Sequence, residues 1–151
     1  MELKIRYATI EDWGKIAQFQ ILMAEETEQV TLEKNTIENG VKAVFENPHF
    51  GKYYVAENEG EIIACLLTTY EWSDWRNAVV WWLQSVYVLP EYRKNGVFGM
   101  MYQHIKRLVT ADNKVGGIRL YMVNSNHRAR AVYEAMGMDG QHYQLFEWMK
   151  E

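Results

Sequence analysis

Polar and apolar residues alternate from Lys4 to Tyr7, which predicts an opening strand. The next residues, ATIEDW, have the form of a helix start, with Thr9 as the cap and Asp12 three positions on. Trp13, Ile16, Ala17, Phe19 and Met23 supply a broad apolar face, so this helix is expected to reach about Glu26. Ile37, Val41, Val44 and Phe45 repeat at i, i+4, i+7 and i+8, predicting a second helix over Asn35–Glu46 that Asn47-Pro48 ends. Two strands, Tyr53–Glu57 and Glu61–Tyr70, flank ENEGE, where Gly60 can take the left-handed conformation of a short hairpin. Ala78–Val88 is a run of Val, Trp, Leu and Tyr broken only by Gln84 and Ser85, as expected of a central strand buried on both faces. Trp81 and Trp82 point to opposite faces of it, so at least one should be core.

Beyond a glycine-containing seam, Val97, Met101, Ile105 and Leu108 mark a third helix. GIRLYMV reads as a fifth strand, HRARAVYEAMG as a short helix stopped by Gly137, and QHYQLFEWM as a closing strand. The order β-α-α-β-β-β-α-β-α-β, without repeat or linker, implies one α/β (α+β) domain over residues 1–151, a mixed sheet flanked by helices.

Composition narrows the function classes. Hydrophobic residues make up 48% of the chain and charged residues 24%, which excludes the disordered class. A net charge of −4 with scattered basic residues argues against a broad nucleic-acid interface. No stretch approaches the roughly 20 apolar residues that span a bilayer, and MELKIRYATIEDW lacks the apolar run of a signal peptide, so a cytoplasmic protein without a membrane partner is expected. Cys65 is the single cysteine and lies among Ile, Ala and Leu, where a buried inert thiol is expected. His49, His104, His127 and His142 show no metal-ligand spacing, and no metal is expected.

The seam SVYVLPEYRKNGVFG leaves two readings open. Gly96 and Gly99 can serve only a turn and a close helix contact. Alternatively, exposed amides at the helix start, with Arg93 and Lys94 beside them, form an anion site suited to a diphosphate. Nucleotide motifs do not fit: Gly99 is followed by Met100 and Met101 rather than Lys-Ser/Thr, and Gly-x-x-Gly after a fourth strand is not Gly-x-Gly-x-x-Gly after a first.

These residues carry a family resemblance. Val88-Leu89-Pro90 followed by Arg93-Lys94-Asn95-Gly96-Val97-Phe98-Gly99 resembles the Arg/Gln-x-x-Gly-x-Gly/Ala motif of the GCN5-related N-acetyltransferases (GNAT), with Phe98 where the family usually has a second Gly or Ala. Asn126, Ala129, Tyr133 and Gly137 match a later Asn-x-x-Ala-x-x-x-Tyr-x-x-x-Gly pattern, with Met138 in place of the family's Phe. The resemblance extends over nearly the whole chain. It implies a mixed, mostly antiparallel central sheet of about six to seven strands, acetyl-coenzyme A as cofactor, and transfer of its acetyl group to a primary amine of a small molecule, peptide or protein. The fourth strand is implied to splay from the fifth and receive the pantetheine arm near Val86 and Val88, with the diphosphate on the amides from Lys94 to Gly99. Asn126 is implied either to contact the cofactor arm or to cap the short helix, and Tyr133 to protonate the departing thiolate. The oxyanion donor is implied to be the main-chain amide near Val86.

No base is evident. Where many relatives place a Glu on the fourth strand, this chain has Gln84 and Ser85. Loop carboxylates are the candidates: Glu25, Glu26 and Glu28 after the first helix, and Glu71 and Asp74 in YEWSDWRN, both segments being expected to border the acceptor cleft. Ordered water is the alternative. Trp72 and Trp75 are candidates either to hold a cationic amine or to form a homodimer surface. A coenzyme-binding module without turnover is the competing reading, prompted by Gln84 and Phe98.

Overall fold

Thr9 begins the first helical segment as the sequence predicts: its amide donates to Asp12 Oδ2 at 2.8 Å and its hydroxyl to Glu11 Oε2 at 2.8 Å. This capping box opens a short 3-10 turn, Ile10–Asp12, that leads into α1 (Trp13–Glu28). The computed structural model describes residues 1–151, as two compact units, Met1–Arg119 and Leu120–Glu151. In the first unit α2 (Lys34–Glu46) follows α1, and α3 (Val97–Ala111) precedes the last strand.

The strands are β1 (Lys4–Tyr7), β2 (Lys52–Asn58), β3 (Glu61–Ser73), β4 (Ala78–Val88) and β5 (Val115–Arg119). They form one sheet in chain order, antiparallel from β1 to β4, with β5 parallel to β4. Gly60, at φ 81°, makes the β2–β3 turn that the sequence predicts. On one face of the sheet Ile16, Ala17 and Phe19 of α1 and Val41 of α2 pack against Tyr53, Val55, Cys65, Leu67 and Tyr87. The alternate residues serve the other face. There the Tyr54 ring lies 6.2 Å from His104 of α3, and Met101 and Ile105 of that helix are fully buried. Each such large apolar side chain contributes about 1.5–3 kcal/mol through its removal from water.

In the second unit, α4 (His127–Ala135) is capped by Asn126, whose Oδ1 accepts from the Ala129 amide at 3.0 Å. Gly137, at φ 86°, lies just past its end, where a left-handed residue is wanted.

Three expectations change. The sheet has five strands rather than six to seven. GIRLYMV contributes only through Arg119 to β5, and residues 141–149 form no strand. Alternation makes a segment fit a sheet, but Leu120–Glu151 contains no strand of its own to pair with it. The third concerns β4, in which only Ala78, Val80, Leu83 and Tyr87 are buried, while Trp81 and Trp82 are both half-buried. The register of β5 on β4 runs only from Val79 to Trp82.

Candidate active site

Opposite Leu67 stands Gln84, and opposite Cys65 stands Tyr87, so Ser85 and Val86 of β4 together face the single residue Leu66. This is a β-bulge, and Ser85 takes a left-handed φ of 56° at it. The Ser85 carbonyl accepts from Gln20 Nε2 of α1 at 3.2 Å and from Cys65 Sγ at 3.6 Å. In a planar trans peptide the N–H points opposite to the carbonyl, so the Val86 amide is directed away from α1. Past Trp82 the register with β5 has ended, and Val86 and Val88 lie in this second half of β4.

A single turn, Pro90–Tyr92, follows, and α3 then begins at Val97 with Gly96 as its cap. Lys94 and Gly96 have φ of 66° and 75°. At Gly96 a Cβ would meet open space, so conformation rather than room calls for glycine. Tyr92 and Arg93 donate their amides back to Leu89 and Pro90, and Met100 donates to Gly96. Between them, the amides of Lys94, Asn95, Gly96, Val97 and Gly99 have no protein acceptor. Asn95 braces the loop from within, its Nδ2 donating to the Tyr92 and Arg93 carbonyls at 3.2 and 3.0 Å. The Phe98 ring lies 6.2 Å from that of Tyr102, along the helix.

Arg93 is engaged by groups of the chain itself. Its Nε donates to the Val88 carbonyl at 2.8 Å and its Nη2 to Glu26 Oε2 at 2.7 Å. Glu26 Oε1 accepts from the Tyr87 hydroxyl at 2.8 Å. Partial burial pushes the Glu26 carboxyl up, but the bonds from Arg93 and Tyr87 outweigh it and hold the group below the usual carboxylate range. Tyr87 is pushed up to about 12, by burial first and then by Glu26. The last turn of α1 is thereby fastened to β4 just beyond the bulge. Glu25 and Glu28 are exposed there.

The other candidate carboxylates sit differently. Glu71 accepts from Trp82 Nε1 at 3.0 Å and from Arg119 Nη1 at 2.7 Å, bridging β3, β4 and β5, and both bonds hold its carboxyl low. Gln84 Oε1 accepts from the Thr69 hydroxyl at 3.0 Å. Trp72 stands opposite Val79, and Asp74 lies in the turn beyond, its Oδ1 accepting from the Trp75 amide at 2.9 Å. Val79 is seven residues from Val86, or about 23 Å along an extended strand at roughly 3.3 Å per residue. The two acidic segments thus lie towards opposite ends of β4. Glu26 is beside the bulge, whereas Trp72, Asp74 and the 92%-exposed Trp75 are at the far end of β4.

In the second unit, Tyr133 lies one helical turn beyond Ala129 on α4. Burial pushes its phenol above the ordinary value. Asn126 is the helix cap, one of the two roles that the sequence leaves open.

Gln20 escapes the sequence reading. It is 4% exposed and stands between Ile16 and Ala24 in a buried row of α1. That spacing is its signal, since i, i+4, i+8 positions share one face and a polar residue in such a row needs a partner.

The model of the acetyltransferase (GNAT) family matches residues 11–138 of this chain. Among solved structures, one described as a possible acetyltransferase from Clostridium difficile 630 is 37% identical, with a TM-score of 0.92 over 100% of this chain and 99% of that one. A predicted acetyltransferase with acetyl-CoA from Clostridium acetobutylicum shares 17% identity, with a TM-score of 0.74, 97% of this chain and 96% of that one. A ribosomal-protein-alanine N-acetyltransferase from Brucella melitensis biovar Abortus 2308 shares 9% identity, with a TM-score of 0.79 over 99% of this chain and all of that one. No curated protein sequence matches. With the family model spanning both units and a 37%-identical structure covering the whole chain, this protein belongs to the GNAT acetyltransferase family.

Proposed function

We propose that this protein moves an acetyl group from acetyl-coenzyme A to a primary amine, of a small molecule or of a peptide or protein, by direct attack in a ternary complex. The observation that carries this reading is the set of acceptorless amides at Lys94, Asn95, Gly96, Val97 and Gly99, one short turn beyond the bulged strand β4. Five acceptorless N–H groups at and just before a helix start suit a diphosphate. The acetyl-CoA named with the Clostridium acetobutylicum structure and the ribosomal-protein alanine named with the Brucella enzyme fit the same chemistry.

When bound, acetyl-coenzyme A supplies a thioester, an acyl group already activated towards amines. The chain's own residues bind and polarise. Amides of Lys94, Asn95, Gly96, Val97 and Gly99 hold the diphosphate, and the main chain at Val86 and Val88 receives the pantetheine amides as a strand edge would. The Val86 N–H donates to the carbonyl oxygen as negative charge builds on it. As the amine nitrogen bonds to the acetyl carbon and the carbon–sulfur bond breaks, Tyr133 gives its proton to the thiolate. The surplus proton on nitrogen leaves through water. Gln84 cannot accept it, and Glu26 and Glu71 each already accept two hydrogen bonds that hold the carboxyl low. Arg93 serves by fastening α1 to β4 rather than by touching phosphate.

Release of free coenzyme thiol across a panel of small amines, peptide N-termini and lysine peptides tests the proposal. Gln84 in place of a carboxylate favours the competing reading, a coenzyme-binding module. Binding of acetyl-coenzyme A with thiol release no faster than hydrolysis across the panel establishes that reading instead. Gly96→Val is expected to weaken acetyl-coenzyme A binding about tenfold in calorimetry, because a left-handed backbone costs an L-residue about 1–2 kcal/mol. Unchanged affinity would remove the loop from the site.

Cys65 is fully buried, and burial pushes its thiol up to about 12. It is expected to ignore an aromatic disulfide reagent until the protein unfolds, and to carry no acetyl group after incubation with acetyl-coenzyme A alone. Mass spectrometry of the intact chain checks both. An acetylated Cys65 would replace direct attack with a two-step route.

A further inference from the structure

We infer that Gln20 is a positioning residue for acetyl transfer: from α1 it grips the Ser85 carbonyl and so aims the Val86 amide. The inference rests on the role proposed above for that amide.

Within the apolar row of α1, a Leu would serve packing better. A buried amide is unfavourable unless it is hydrogen-bonded. Gln20 answers that demand with both contacts of its Nε2 group, one to the Ser85 carbonyl at 3.2 Å and one to Cys65 Sγ at 3.5 Å. Cys65 Sγ lies 3.6 Å from the same carbonyl, so the contacts close a small triangle. All three groups belong to different elements, α1, β3 and β4.

What the triangle holds is otherwise unfavourable. Ser85 is a non-glycine residue at φ 56°, and conformations of this kind persist only where surroundings over-determine them. Ser85 and Val86 are also outside the β3–β4 register, so the ladder does not fix their shared peptide plane. Gln20 does, through the carbonyl. Because carbonyl and N–H of one trans peptide are antiparallel, whatever fixes the Ser85 oxygen fixes the direction of the Val86 hydrogen. An oxyanion donor works by being aimed before the reaction begins, and removal of such a donor slows turnover about 10²–10³-fold.

Gln20→Met keeps length and volume and removes the donor. It is expected to lower kcat about tenfold or more, while KM for acetyl-coenzyme A and its affinity by calorimetry change less than threefold. The ¹H–¹⁵N resonance of Val86 is expected to move in the free protein, whereas resonances of the Lys94–Gly99 loop stay in place. A purely structural role for Gln20 would lower the melting temperature without this split. A kcat within twofold of wild type together with an unmoved Val86 resonance overturns the inference. Should Gln20→Met not fold, the Gln20 side-chain amide of the unaltered protein decides: protected, carbonyl-bonded protons support the role, and freely exchanging ones refute it. If the unaltered protein acetylates no amine, the proposed function falls, and the Val86 resonance still tests the aiming by Gln20.

Discussion

Tyr133→Phe is expected to reduce kcat about 10²-fold or more while leaving acetyl-coenzyme A affinity nearly intact, since positioned proton donors typically contribute 10²–10⁴-fold. The substitution removes one oxygen and keeps the ring, so packing on α4 is preserved. Like any phenol, Tyr133 is protonated near neutral pH, which is the form a leaving thiolate requires. The effect should therefore fall on the chemical step and not on binding. Single-turnover measurements with a saturating amine separate that step from product release. An unchanged single-turnover rate would take Tyr133 out of the mechanism.

Phe19→Ala should be the most damaging single truncation near the site. Phe19 is fully buried, and its ring lies 5.2 Å from that of Tyr87, the residue following the bulge. Large-to-small changes of this type cost about 3–5 kcal/mol. For a chain of this length that corresponds to a fall in Tm of roughly 6–20 °C. Thermal unfolding followed by circular dichroism provides the check. A shift below 2 °C would mean that the α1 face contributes little to holding β4.

Much of the fold is written in local patterns. Thr9 and Asp12 announce α1, Gly60 the β2–β3 turn, and the Val97, Met101, Ile105 row the buried side of α3, and each stands as its pattern implies. Periodicity reports such features because one residue's environment repeats at a fixed interval. It does not report neighbours. The alternation in residues 141–149 carries no information about which strand would lie alongside, and the pairing of β5 stops at Arg119 although apolar residues continue.

The site shows the same division. The acceptorless amides were legible because Arg93-Lys94-Asn95-Gly96 marks a loop that must run into a helix. Side-chain charge says less there: the sequence offers Arg93 as a phosphate ligand and gives no sign of its ion pair with Glu26, 67 positions earlier. Ser85 gives no hint of a bulge, because a left-handed serine is a product of its surroundings rather than of its own preference. Gln20 was visible only as a polar interruption of an apolar row, which says that a partner exists without saying which.

The extra residue in β4 also constrains how the chain can change over time. Gln84 and Tyr87 are three positions apart yet oppose Leu67 and Cys65, which share a side of β3. Exchanging a side chain at 85 or 86 leaves that offset alone. Losing either position, or gaining another, would turn Tyr87 and Val88 over like a row of reversed tiles, uncoupling Tyr87 from Glu26 and carrying the start of the glycine turn with it. Across descendants of this gene, the length of the kink is held more tightly than its spelling.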